Sequence, residues 1–280
     1  MPSLDPIDLN FMGVDRSIGV YVVQTTDGPA LFDCGPATTV ERLHEGLRER
    51  GLELRDIRHL LLSHIHFDHA GAAGVLVREH SELTVWVSAI GAPHLVDPSR
   101  LEASARRLYG PSFDTLWREL APIPEQNIRI ADGDVLGWHA FKSPGHASHH
   151  VCYLRDGILL AGDACGVRIQ PLDFVLPVSP PPDIDVEAWH ETIATIERHR
   201  PDALALIHFG VAEDVEPHLE RLREELDLWT ALVGTGADES AFLAFVRERA
   251  GSDADLYDVV APFSQSWQGL RRYWDKRAAA

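Results

Sequence analysis

The chain is short of several things, and each shortage excludes a class of protein. Only three of its 280 residues are cysteine (Cys34, Cys152 and Cys165), and they are odd in number and far apart. No disulfide framework and no Cys-x-x-Cys metal knuckle follows from such a set. Basic residues are outnumbered, 25 against 43 acidic, for a formal net charge of −18. Charge of that sign repels nucleic-acid phosphates and anionic membrane surfaces, so neither is expected as a partner. A small anionic substrate stays open, because a bound metal inverts the local field. No run of about 18 apolar residues marks a membrane span. The opening stretch from Met1 to Asp8 has neither a basic segment nor an apolar one. A secretory signal is therefore not expected, and the cytoplasm is the expected compartment. There is no Gly-x-Ser-x-Gly elbow for serine chemistry, no internal repeat and no low-complexity tract.

What is present is an ordinary globular composition, 45% hydrophobic and 24% charged, on a chain long enough to bury a large core. Its most informative stretch runs from Leu60 to Gly71, Leu-Leu-Leu-Ser-His-Ile-His-Phe-Asp-His-Ala-Gly. The leucines read as a buried strand, and helix-compatible residues resume after Ala70. Between them stand His64, His66, Asp68 and His69. Alternate residues of an extended segment point the same way, so His64 and His66 can reach one ion. Imidazoles and carboxylates so crowded at a strand end are costly to leave unpaired, and a divalent metal satisfies them.

The rest of the chain alternates strand and helix. Residues 19 to 34 read as a hairpin turning at Thr-Thr-Asp-Gly-Pro, with Asp33 at its end as a turn carboxylate or a support for the metal loop. Thr38 or Thr39 is placed to cap a helix to about Arg50. A helix from about Ala70 to His80 and a strand over 83–87 follow. Residues 91–125, punctuated by five prolines and containing Tyr109, Phe113 and Trp117, read as a helical insertion, either a lid over the site or ordinary surface packing. Further strands end near His146, Asp163 and His208, where α/β folds gather functional groups. Asp185 caps a helix over 186–199, and Pro201 stops it. His149 and His150 are expected to face opposite ways, one at most inward. The remaining histidines, His94 and His218 among them, read as surface or core. Beyond His208 the chain reads as helical, its tryptophans serving as core or as a contact between two copies, which is compatible with a homodimer.

The ordered set His64-x-His66-x-Asp68-His69, His146, Asp163, His208 resembles the metallo-β-lactamase superfamily over roughly residues 15 to 210. The resemblance implies an α/β four-layer αββα sandwich of two mixed β-sheets flanked by helices, spanning 1–210, with a C-terminal helical extension over 211–280 packed on it. It also implies that His64, His66 and His146 hold one divalent metal ion, that Asp68, His69 and His208 hold a second, and that Asp163 bridges them. Zinc suits this donor set, with iron or manganese compatible. The expected activity is that of a dinuclear metal-dependent hydrolase. A metal-bridging hydroxide would attack a small ester, thioester or lactone, with Asp68 and Asp163 as its catalytic carboxylates. An iron-dependent oxidative relative, or a non-enzymatic interaction protein stabilised by metal, are the alternatives.

Overall fold

The computed structural model describes residues 4–279, so Met1 to Ser3 and Ala280 lie outside the described residues. Two mixed six-stranded sheets form its centre. The first sheet runs in chain order: β1 (Ile7–Asp8), β2 (Gly19–Thr25), β3 (Gly28–Phe32), β4 (His59–Leu61), β5 (Thr84–Val87) and β6 (Ile128–Ile130). Its first three strands are antiparallel, and β3 through β6 pair in parallel across helical crossovers. The second sheet comprises β7 (Gly133–Val135), β8 (Trp138–Lys142), β9 (Val151–Arg155), β10 (Ile158–Leu160), β11 (Ala203–Leu206) and β12 (Gly210–Ala212). There only β10 and β11 are parallel, joined through the helix Val186–His199.

The sheets pack face to face because their inward residues are apolar: Tyr21, Phe32 and Leu61 of the first lie in one core with Tyr153, Leu160 and Ala205 of the second. Polar atoms within this layer are satisfied across it. The Tyr21 hydroxyl donates to Leu206 O at 2.7 Å, and that of Tyr153 donates to Leu62 O at 2.9 Å. The outer face of the second sheet is covered by the helix Val186–His199 and by the C-terminal helices. Trp229, Phe242, Phe263 and Leu270 of those helices share a core with Leu159 and Leu204. The C-terminal tryptophans accordingly pack inward: Trp229 is fully buried, and Trp267 and Trp274 lie against that core. The fold is therefore the expected four-layer αββα sandwich with a C-terminal helical extension. Among the described residues no helix is long and apolar enough to cross a membrane.

Several local expectations need correction. The helix expected over 70–80 is two pieces, Phe67–Ala70 and Ala73–Glu79, because the Ala72 amide donates to Gly35 O at 2.8 Å rather than back along one continuous helix. Neither Thr38 nor Thr39 caps the helix Val40–Glu49; their hydroxyls donate to Leu116 O and Pro36 O, and a 3-10 turn leads in instead. The chain beyond His208 is not helical at once, since β12 precedes the helix Val215–Gly234. Asp185 does cap the helix Val186–His199, accepting from the Ala188 amide at 2.9 Å.

Candidate metal centre

All seven proposed ligands lie at one end of the sandwich, each just beyond a strand or in the turn after it. His64 and His66 follow β4, Asp68 and His69 sit in the short helix after them, and His208 follows β11. Two glycines let the remaining turns close. At Gly145, just before His146, φ is +137° and a Cβ would meet Trp189 Cα at 2.4 Å. At Gly162, just before Asp163, φ is +50° and a Cβ would stand 2.6 Å from both Ser63 and His150. Any other residue would push these two ligands away from the cluster.

The cluster divides into two interlocking groups. His64 Nε2 is 2.9 Å from His66 Nδ1, which is 3.0 Å from His146 Nε2. On the other side Asp68 Oδ2 lies 3.6 Å from His69 Nε2 and 3.4 Å from His208 Nε2. Asp163 stands between: its Oδ2 is 3.5 Å from His146, and its Oδ1 is 3.4 Å from His69 and 3.8 Å from His208.

The backs of the imidazoles fix their fronts. His69 Nδ1 is 2.8 Å from Asp33 Oδ2, His146 Nδ1 is 2.7 Å from Val178 O, and His208 Nδ1 is 2.5 Å from Ser17 O. Each of those oxygens accepts, so each Nδ1 carries a proton and each Nε2 faces the cluster, where it offers a lone pair once that nitrogen gives up its own proton. Asp33 also accepts from the Ser63 amide and hydroxyl, both at 2.7 Å. Of its two readings, the structure favours support of the metal loop over a turn carboxylate.

A divalent cation fits this nest. His69 Nε2 and Asp163 Oδ1 are buried without hydrogen-bond partners, a condition that costs about 1–3 kcal/mol for each group. Burial holds His64, His66 and His146 below their ordinary pKa, so they are neutral and able to ligate near pH 7. His69 is different. Burial lowers its pKa too, but the Asp163 and Asp68 carboxylates outweigh that and raise it well above the usual range. Burial likewise raises Asp163, yet His69, His146 and His208 overcome it and keep the carboxylate ionised. Trapped positive and negative charge without full hydrogen bonding is the pattern a metal would resolve.

One expectation fails at this site. His149 and His150 both approach the cluster, their rings stacking on His64 at centroid distances of 6.0 and 5.0 Å. They lie in the turn before β9, not in the strand, so strand alternation does not apply to them. His150 Nδ1 meets Ser143 Oγ at 2.7 Å, and its Nε2 accepts from the Asp163 amide at 3.2 Å. His94, read as surface or core, lines the cleft above the nest. That cleft, of about 630 Å³, has Tyr109 and Trp117 of the insertion on one side and Val259 to Pro262 with Gln265 of the C-terminal extension on the other. Burial raises the Tyr109 phenol above its ordinary pKa, with the Asp68 charge adding to it and Gln265 beside the hydroxyl opposing it, so the group stays neutral.

Residues 14–211 match the family model described as the metallo-beta-lactamase superfamily. A curated relative, the metallo-beta-lactamase fold-containing protein ST1585 of Sulfurisphaera tokodaii, is 23% identical over 198 residues, 66% of this chain and 74% of the relative. An N-acyl homoserine lactonase of Bacillus thuringiensis is 26% identical over 227 residues, 70% of this chain and 80% of the relative. Among solved structures, that of ST1585 covers 96% of this chain and 97% of its own at 19% identity with a TM-score of 0.65. That of TTHA1429 from Thermus thermophilus covers 94% and 89% at 22% identity with a TM-score of 0.64. These structural likenesses extend over the C-terminal helices, which lie beyond the residues matched by the family model.

Proposed function

This chain belongs to the metallo-beta-lactamase superfamily, and from that premise we propose that it is a hydrolase using two divalent metal ions to cleave a small ester, thioester or lactone. One observation carries the reading: Asp163 stands between the two sides, 3.5 Å from His146 and 3.4 Å from His69, and its Oδ1 and the facing His69 Nε2 have no hydrogen-bond partner. His64, His66 and His146 would hold one ion, Asp68, His69 and His208 the other, and Asp163 would serve both. The nitrogen-rich set suits zinc, with iron and manganese compatible. When bound, such ions polarise a carbonyl and lower the pKa of water from 15.7 to about 7.

The protein's own groups do the rest. Asp33, Val178 O and Ser17 O hold three imidazoles in one tautomer, so no reorganisation is needed when substrate arrives. Asp68 is the more open of the two central carboxylates, 29% exposed at its side chain against 3% for Asp163, and it lines the cleft. We assign it contact with the proton that the leaving group must gain. Tyr109 lines the same space with its phenol neutral, and its ring packs edge-on against Trp117. Lactones are the first substrates to test, since the Bacillus thuringiensis relative is named as a lactonase.

The experiment is a panel of lactones, esters and thioesters given to protein purified without nickel affinity, with metal content measured on the same sample. Turnover should vanish on chelation and return with added zinc or manganese. Hydrolysis that survives complete metal removal sinks the reading. Oxygen uptake by protein carrying one iron per chain would move it to the oxidative branch of the family.

A further inference from the structure

Five large apolar side chains stand exposed among the described residues: Met12, Ile90, Leu108, Ile130 and Val259. Scattered singly they would need no explanation, but Ile90, Leu108 and Val259 gather at one place, the cleft over the metal nest. The helix Ser99–Tyr109 shows why. Leu101, Ser104, Ala105 and Leu108 follow the i, i+3, i+4, i+7 spacing of a single helix face, and all four line the cleft. Ala105 of that face is buried against Phe67, Phe113 and Trp117, and Leu101 is half-buried beside them, but Leu108 at the end of the face is left exposed to the cleft. Across from it the C-terminal extension contributes Val259, Val260 and Ala261. The floor is His66, Asp68 and Asp163. The cleft is thus a trough with two largely apolar walls, interrupted by Ser104, Tyr109 and Gln265, and a polar end at the nest.

A polar or charged chain laid in such a trough would lose its water against leucine and valine with nothing in return. Charge at the rim does not select a sign, since Arg100 lines it together with Asp183. From the match between the walls and the floor we infer that the substrate carries a straight, uncharged hydrocarbon chain, which lies between Leu101 and Leu108 on one side and Val259 and Val260 on the other, with the scissile carbonyl at the nest. The inference rests on the reading of the nest as the reacting site. It also gives the C-terminal extension a role: it is one of the two walls that choose the substrate.

The test is binding of butanoate, hexanoate, octanoate and decanoate to the metal-loaded protein by calorimetry, which needs no catalysis. Affinity should rise about three- to fourfold for each methylene that enters the trough. In the triple variant Ile90→Ser, Leu108→Ser, Val259→Ser, butanoate should bind as before while the gain from hexanoate to decanoate is lost. All three side chains are exposed, so the variant should keep the wild-type Tm. Equal affinity along the series in the wild type, or an unchanged slope in the variant, overturns the inference. Straight-chain thioesters of the same lengths separate it from the hydrolase reading. A steep binding series without hydrolysis removes that reading and leaves the trough standing. Hydrolysis indifferent to chain length, with flat binding, keeps the hydrolase and removes the trough.

Discussion

The nest and the trough share one cleft and are built on opposite principles. In the nest, His69, His146 and His208 are held from behind by an acceptor and surrounded by other ligands, and all three are buried. In the trough, Leu108 and Val259 are 40% and 61% exposed and carry no structural duty visible in the core. On the proposed function, the difference separates where this molecule would keep chemistry from where it would keep choice. Chemistry would sit in side chains with several obligations each, so a change there would disturb protonation, orientation and metal together. Choice would sit in side chains with few obligations, where a change would alter what binds and little else. Substitutions should therefore split into two kinds, and the split can be tested.

The largest effect should come from Asp163→Asn. Loss of one charge-stabilising group in a reacting site costs about 10²–10³-fold, and Asp163 faces both ligand groups. We expect kcat/KM to fall on the order of 10³-fold or more, with metal content dropping below that of the wild type and far-UV circular dichroism unchanged. A variant with this substitution that keeps its metal and its rate would break the distinction between nest and trough at its centre.

Asp33→Asn touches no ligand position directly. It removes the anionic acceptor behind His69 and turns an amide N–H toward the donors of Ser63. Changes of this kind typically cost about 10–100-fold in metal affinity or activity. The loss should be largest at limiting metal and shrink when metal is added in excess, whereas Asp163→Asn should not be rescued. Equal rescue of both would mean that Asp33 and Asp163 do the same work.

Tyr109→Phe should be milder. The ring packs edge-on against Trp117 with centroids 5.2 Å apart, a contact that phenylalanine keeps. What disappears is one hydroxyl of a residue that lines the cleft, worth about 0.5–1.5 kcal/mol and hence about two- to twelvefold in kcat/KM. Metal content and Tm should not move. A loss of metal on this substitution would show that the wall and the nest are one structure.

The same contrast explains what is legible in the unfolded sequence. His64, His66, Asp68 and His69 are legible because their types are costly to bury and they crowd the end of an apolar run that reads as a strand; His146, Asp163 and His208 also end such runs, but it is the resemblance to the superfamily that joins them to that cluster. The helix Val186–His199 is legible from its Asp185 cap and the Pro201 stop. His149 and His150 are not, because they occupy a turn, where the two-residue alternation of a strand gives no guidance. The trough is invisible for a different reason. Its walls come from residues 101–117 and 259–265, and nothing local in either segment says that it faces the other across the cleft. Leu101, Ala105 and Leu108 do repeat at helical spacing, but spacing alone cannot tell a face packed on protein from one left open for a ligand.

The smallest expected effect concerns a histidine that shares the burial of the nest and none of its carboxylates. His218, on the helix Val215–Gly234, is fully buried, and its Nε2 donates to Cys165 O at 2.8 Å, two residues beyond Asp163. Burial lowers its pKa to about 4; Arg168 and Arg221 push the same way, and the Cys165 carbonyl and Asp214 oppose them. His69, equally buried, is driven upward because the Asp163, Asp68 and Asp33 carboxylates surround it. Burial alone therefore does not set the direction; the facing charges do. The consequence for stability has a definite sign. The unfolded chain protonates this imidazole near pH 6.5, but the folded chain does so only near pH 4. Below about pH 6.5 the unfolded state binds the extra proton, so the contribution present above that pH is lost as pH falls toward 4. Urea unfolding of wild type and His218→Gln, compared at pH 7.5 and pH 5, isolates this group from the other histidines. The stability of the wild type relative to the variant should fall by about 2 kcal/mol between those two pH values, with kcat/KM at pH 7.5 unchanged. A gap between the two proteins that stays constant with pH would mean that His218 takes up its proton at the same pH in the folded and the unfolded chain, so that its surroundings offset its burial.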